Sequence, residues 1–149
     1  MRRNAIALLV PVAVVGCGVT EAGHNTTNPV IGTWMVKDSA APFPWHMYVF
    51  NADGTMQQAN PDAGHAASSD SDGKGIWVAA GDRVKGKFVE ITADRTTHRY
   101  TGRGEITFDI KVAGNGFAGA AQARFFDSEG KLVEGPLPDT LRGQRVTLD

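Results

Sequence analysis

The stretch EITFDIKV, Glu105–Val112, alternates polar or charged residues with large apolar residues at every second position. Successive side chains of a β-strand point to opposite faces of its sheet, so this alternation predicts a half-buried strand. The residues expected to point inward are Ile106, Phe108, Ile110 and Val112. Those expected in solvent are Glu105, Thr107, Asp109 and Lys111. The same two-residue period recurs along most of the chain and decides its fold class.

Similar short segments, separated by turn residues, continue in both directions, and no window has the apolar spacing of a helix. The expected strands are Val30–Lys37, Trp45–Asn51, Thr55–Ala59, Gly75–Ala80, Arg83–Thr92, Thr97–Gly102, Glu105–Val112, Phe117–Phe126, Lys131–Glu134 and Gly143–Leu148. A long polar loop is expected over residues 60–73, and a Pro-rich break at GPLPDT, residues 135–140. This pattern predicts an all-β, antiparallel up-and-down β-barrel of roughly 8–10 strands, because closure removes unpaired edges. A β-sandwich is the alternative.

Gly32-Thr33-Trp34 stands near the start of the first predicted strand, after a polar leader. This Gly-x-Trp resembles the signature in the opening strand of the lipocalin (calycin) barrels. The resemblance implies a structural role for Trp34, because in that family an Arg near the last strand lies over the Trp ring in a cation–π contact. Arg142 and Arg145 are available at that end. The chain lacks the family's helix and disulfide, so the resemblance implies fold more than ligand.

The first seventeen residues, MRRNAIALLVPVAVVGC, predict an export signal that ends in a lipid attachment site. Arg2 and Arg3 precede an apolar run over residues 5–15, which is shorter than the roughly 20 residues of a membrane-spanning helix but typical of a secretory signal. Val14-Val15-Gly16-Cys17 resembles a bacterial lipobox. The resemblance implies that Cys17 is diacylated, becomes the mature N-terminus and anchors the protein to a membrane of the cell envelope. The alternative is a cleaved secretory signal and a secreted soluble protein.

These features divide the chain into a signal peptide (1–16), a lipidated N-terminus with a flexible tether (17–28) and a barrel domain (29–149). The formal net charge of −1 gives no reason to expect nucleic acid as a partner. A single Cys cannot form an internal disulfide or a Cys-based zinc site. No cofactor or metal is expected, because the Asp-rich segments NADGT (51–55) and SDSDGKG (69–75) lack the later ligands of a calcium loop. The oligomeric state is left open.

Candidate site residues come from the inward faces of the predicted strands. In Arg83–Thr92 the lysines mark the outer face, which places Phe88 and Glu90 inside the barrel. If the following turn pairs Glu90 with His98, a carboxylate and an imidazole share the interior, where one of them could act as a general acid or base. A register that differs by one residue would place Glu90 beside Arg99 on the outer face, as an exposed ion pair of little energetic value.

The strand WHMYVF, residues 45–50, is apolar on both faces and adds polar groups among aromatic rings, as small-molecule sites do. The expected ligand-binding residues are His46, Tyr48, Phe88, Glu90, His98 and Tyr100. The expected function is a lipid-anchored envelope protein that binds a small apolar or amphipathic ligand inside its barrel. The alternatives are an isomerase or cyclase that uses Glu90 and His98, and a structural envelope module with a filled interior.

Overall fold

The structure is a computed structural model that describes residues 27–61 and 66–148, so the predicted signal peptide and Cys17 lie outside the described residues. The strands are β1 (Gly32–Asp38), β2 (Trp45–Phe50), β3 (Thr55–Ala59), β4 (Ser68–Asp70), β5 (Gly73–Ala80), β6 (Arg83–Asp94), β7 (Tyr100–Ala113), β8 (Gly116–Asp127) and β9 (Leu132–Arg145). In this part of the chain, no helix is long and apolar enough to cross a membrane.

Eight of these strands close into an antiparallel up-and-down barrel. β1, β2, β3, β5, β6, β7, β8 and β9 pair in that order, and β9 returns to pair with β1. The closing ladder runs from Trp34 opposite Arg145 to Asp38 opposite Leu141. The short strand β4 adds to the end of β6 outside this ring. The predicted up-and-down barrel is confirmed, and the sandwich alternative is wrong.

Two predicted breaks are absent. The segments expected as separate strands before and after residue 103 form one strand, β7, and the Pro-rich segment lies within β9. β1 pairs only with the residues of β9 from Leu141 onward, so Pro136 and Pro138 lie where β9 has β8 on one side only. Proline is tolerated at such an edge because no ladder hydrogen bond is lost there. The polar loop expected over residues 60–73 contains β4.

The turn between β6 and β7 is built around the side chain of Asp94. Its Oδ1 accepts hydrogen bonds from the backbone N–H groups of Thr96 at 3.0 Å and Thr97 at 2.6 Å. His98 then takes a left-handed backbone conformation, with φ of 58°, and its N–H donates to the Asp94 carbonyl at 2.9 Å. Asp side chains favour such turns because they bond the backbone two or three residues ahead. Asp94 therefore ends β6 later than the sequence predicted.

This later turn changes the register of β6 against β7. Glu90 lies opposite Gly104, six residues beyond His98. The predicted pairing of Glu90 with His98 is wrong, and so is its alternative, in which Glu90 stands beside Arg99 on the outer face. Glu90 keeps its predicted inward face, because alternation along β6 itself sets that face. Only its partner on β7 changes with the register.

The faces predicted for β7 are confirmed. Phe108, Ile110 and Val112 are buried in the core, and Ile106 packs against it. On the outer face, Glu105 and Asp109 accept hydrogen bonds from arginine side chains of β7 and β6. The interior of the barrel is therefore apolar at these positions of β7, and Glu105 and Asp109 are paired with cations outside.

One end of the barrel, which we call the closed end, is sealed around Trp34. The indole is fully buried, and its Nε1 donates to the carbonyl of Val30 at 2.7 Å. The Arg145 guanidinium lies 4.2 Å from the centre of the Trp34 ring, and its Nη1 donates to the carbonyl of Ile31 at 2.7 Å. Gly32 has φ of 129° and faces this guanidinium so closely that a Cβ would lie 2.8 Å from Nη1. The Gly-x-Trp spacing thus leaves room for the arginine.

We predict that Arg145→Gln lowers the free energy of unfolding by about 1–2 kcal/mol, because it removes the cation–π contact and the hydrogen bonds to the leader. The matched control is Arg142→Gln on the same strand, since Arg142 is exposed and makes no contact with Trp34. Its effect should stay within about 0.5 kcal/mol. Urea unfolding followed by tryptophan fluorescence measures both variants, and equal losses would contradict this account of the closed end.

Candidate functional site

A cavity of about 430 Å³ lies at the opposite end of the barrel, which we call the open end. Its volume falls within the roughly 300–1,000 Å³ of small-molecule sites. The apolar part of its wall comprises Ala40, Ala41, Pro42, Phe43, Tyr48, Phe88, Ile106, Ala121, Ala123, Phe125, Leu137 and Pro138. The polar part comprises Asp38, His46, Gln58, Asn60, Asp70, Glu90, Glu134 and Asp139.

The inward residues of β8 change from large to small between the closed end and the cavity. On β8, Phe117 packs against Trp34 with ring centres 5.1 Å apart, whereas Ala121 and Ala123 face the cavity. On β7, Gly104 lies opposite Glu90, and the Phe125 ring of β8 covers it, 3.2 Å from the position of a Cβ. Side chains therefore fill the closed half of the barrel and leave the open half hollow.

The structure brings four of the six predicted ligand-binding residues to the cavity: His46, Tyr48, Phe88 and Glu90. The other two lie outside it. His98 is exposed in the β6–β7 turn, and Tyr100 is 46 % exposed at the start of β7. The later turn explains both positions. The sequence predicts residues 98–100 within one strand, whereas residues 98 and 99 lie in the turn and residue 100 begins β7.

His46 is held in one tautomer by the groups around it. Its Nδ1 lies 2.9 Å from Gln58 Nε2, and its Nε2 lies 3.0 Å from the carbonyl oxygen of Phe43. The Gln58 amide cannot reverse, because its Oε1 accepts the backbone N–H of Gly73 at 3.0 Å. Gln58 therefore donates to Nδ1, and the proton of the neutral ring is on Nε2. Burial, only partly offset by the bond to Phe43, lowers the pKa of His46, which agrees with a neutral imidazole.

Glu90 points into the cavity without a partner. Among the described residues it has no hydrogen bond and no ion pair, although its side chain is largely buried. Burial, followed by the charges of Asp70, Asp72 and Asp38, raises the pKa of Glu90 to about 7. A carboxyl group in this state can gain or lose a proton near neutral pH, or accept a hydrogen bond from a ligand.

A second acidic group, formed by Asp38 and Asp139, lies at the rim. Burial, followed by the hydrogen bond with Asp139, raises the pKa of Asp38 to about 6. Burial alone would raise the pKa of Asp139 as well, but hydrogen bonds from Asp38 and Ser39 outweigh it and hold that pKa below its usual range. Below about pH 6 the two carboxyl groups therefore share a proton that belongs mainly to Asp38.

Tyr48 forms the inner wall of the cavity. Its ring packs edge-on against Phe88, with centres 5.6 Å apart, and the side chain is 1 % exposed. Its hydroxyl makes no hydrogen bond with the described residues, and it is open to the cavity, because no fully buried side-chain N or O atom of those residues lacks a partner. Burial, together with the nearby charges of Asp38 and Glu90, raises the pKa of the phenol above its ordinary value, so the hydroxyl keeps its proton. A ligand can therefore meet a neutral donor and acceptor at this point.

Sequence reasoning missed several residues of this site. Gln58 lies two residues after Met56, and both point to the inner face of β3. The two-residue alternation of this strand could therefore have revealed Gln58 as an inward residue. Asp38 and Asp139 carry no comparable signal, because they meet only through the pairing of β1 with β9. The sequence also predicts that the Pro-rich segment containing Asp139 interrupts the strand pattern.

No protein-family model, no curated protein and no solved structure matches this chain. Among the described residues, no three His, Cys, Asp or Glu side chains are grouped as metal ligands. The geometry instead combines an apolar wall, an unpartnered carboxyl group and an unpartnered phenol, which is an arrangement suited to a small organic ligand.

We predict that stability decreases between about pH 4.5 and pH 7 because of Glu90. In that range the folded protein retains a proton that the unfolded chain releases, so ionisation costs folding free energy. Above pH 7 this contribution levels off. Glu90→Gln has no charge to bury and should exceed the wild type in unfolding free energy by roughly 1–3 kcal/mol at pH 8, with little difference at pH 4.5.

Urea unfolding at both pH values measures this effect. Glu129→Gln is the control, because Glu129 is exposed in the β8–β9 turn. If the difference between Glu90→Gln and the wild type were the same at pH 4.5 and pH 8, Glu90 would not be a buried carboxyl group with a raised pKa.

Proposed function

We propose that this chain is an exported, lipid-anchored protein of the cell envelope whose barrel binds a small apolar or amphipathic molecule in the cavity at its open end. The observation that carries the proposal is the cavity of about 430 Å³ with its mixed wall. Apolar side chains supply most of that wall, and polar groups converge on it from β1, β2, β3, β4, β6 and β9. Small-molecule sites have this composition because apolar burial supplies affinity and polar groups fix orientation.

The preformed state of the site also supports binding. The Tyr48 ring packs against the rings of Phe50, Phe88 and Phe108, whose centres lie 5.6–6.2 Å from its own. Gln58 holds His46 in one orientation. A wall whose side chains are already fixed loses little conformational entropy when a ligand enters. The closed end further supports a likeness to the lipocalin barrels, since Arg145 stacks on the Trp of the Gly-x-Trp signature.

The two alternative functions lose their main support. The isomerase or cyclase hypothesis depended on a Glu90–His98 pair, and the register places Gly104 opposite Glu90. The hypothesis of a structural module depended on a filled interior, and the open half of the barrel is hollow. Ligand binding is the function that uses the observed cavity.

We predict that Ala123→Trp abolishes binding of the neutral fluorescent probe N-phenyl-1-naphthylamine, because the indole would occupy the cavity that Ala123 lines. Ala120→Trp is the matched control: Ala120 lies on the same strand but is exposed on the outer face. Fluorescence titration of the full chain measures affinity, and circular dichroism checks that both variants fold. A wild-type protein that does not bind the probe, or an Ala123→Trp variant that binds it equally well, would overturn the proposal.

We predict that Cys17 carries the lipid anchor. Expression in a bacterial host should place the wild type in the membrane fraction, with its mature N-terminus at Cys17 and the mass of two or three acyl chains. Cys17→Ser should abolish both the acylation and the membrane association. An unmodified, soluble wild-type product would exclude the lipid anchor while leaving the binding cavity unaffected.

A further inference from the structure

The charge of the cavity wall identifies the class of ligand, on the premise that the cavity binds a small molecule. We propose that the occupant is an organic cation: a protonated amine attached to an apolar or aromatic body, with its ammonium group held between Glu90 and the Asp38–Asp139 pair.

The first observation is a one-sided charge distribution. Five acidic residues line the cavity (Asp38, Asp70, Glu90, Glu134 and Asp139), and no Lys or Arg does so among the residues that the structure describes. The cations of the neighbouring strands are on the outer face, where Arg83 pairs with Asp109 at 2.7 Å and Arg103 with Glu105 at 2.7 Å. An anionic amphiphile, such as a fatty acid, would bring its charge towards uncompensated carboxylates. A cation would compensate them.

The second observation is that two polar groups of the wall make no hydrogen bond with the described residues. Glu90 has no hydrogen bond or ion pair within the described residues, and the hydroxyl of Tyr48, a side chain only 1 % exposed, has no partner either. His46 and Gln58, by contrast, are bonded to each other and to the backbone. No fully buried side-chain N or O atom of the described residues lacks a partner, so these two groups are open to the cavity, where a ligand can bond them. An ionised carboxylate only accepts hydrogen bonds, and an ammonium N–H is its complement.

The third observation favours an organic cation over a metal ion. The carboxyl groups of the wall are not grouped as metal ligands within the described part of the chain. The same wall contains aromatic side chains, among them Phe43, Phe88 and Phe125. These rings can cover an apolar ligand body, and their faces attract a nearby positive charge. A bare ion would leave this apolar surface uncovered.

The test uses three molecules with one skeleton and three different head groups: 3-phenylpropylamine, 3-phenylpropanol and 3-phenylpropionic acid. Calorimetric titration into the full chain at pH 8 and about 0.15 M salt keeps the first probe cationic, the second neutral and the third anionic. The amine should bind at least about tenfold more tightly than the alcohol, and the acid most weakly. Glu90→Gln should remove most of the amine's advantage over the alcohol. Glu129→Gln, on an exposed turn, should behave as the wild type.

The outcomes separate this inference from the proposed function. If N-phenyl-1-naphthylamine binds but the amine binds no better than the alcohol or the acid, the preference for cations is wrong and the binding function stands. The same conclusion follows if Glu90→Gln leaves the amine's affinity unchanged. If neither the neutral probe nor any of the three molecules binds, both the inference and the proposed function are overturned.

Discussion

The closing ladder between β1 and β9 is the constraint on which the rest of the molecule depends. It joins residues more than one hundred positions apart in sequence, from Trp34 opposite Arg145 to Asp38 opposite Leu141. At one end of this ladder Arg145 covers the Trp34 ring and seals the barrel. At the other end Asp38 meets Asp139 and forms part of the rim of the cavity. A single strand pairing thus sets the positions of both the base and the site.

The hollow open end follows from the sizes of the inward residues. An eight-stranded barrel has an interior that side chains can just fill, so the size of each inward residue decides whether space remains. Near the base these residues are large and packed, as Phe117 is against Trp34. Beside the cavity β8 contributes Ala121 and Ala123. The cavity therefore results from small residues at a few positions along long strands.

The distribution of charge separates the two surfaces of the barrel. On the outer face, opposite charges on neighbouring strands are paired and exposed to water, where they contribute little to stability. Inside, Glu90 and the Asp38–Asp139 pair have no cation beside them and are partly desolvated, which raises the pKa of Glu90 and of Asp38. Such an interior is costly for the empty protein and favourable for a ligand that supplies the missing positive charge.

The sequence by itself determined the all-β class, the inward faces of the strands and the inward position of Glu90, because the two-residue period of a strand is a local property. It also indicated the aromatic strand that carries His46 and Tyr48. The sequence did not determine which residue faces Glu90, because the register depends on how Asp94 builds the following turn. The contact between Asp38 and Asp139 could not be predicted from the sequence either. Only the tertiary structure decided it, since contacts made by closing a barrel join distant segments that leave no periodic trace in the chain.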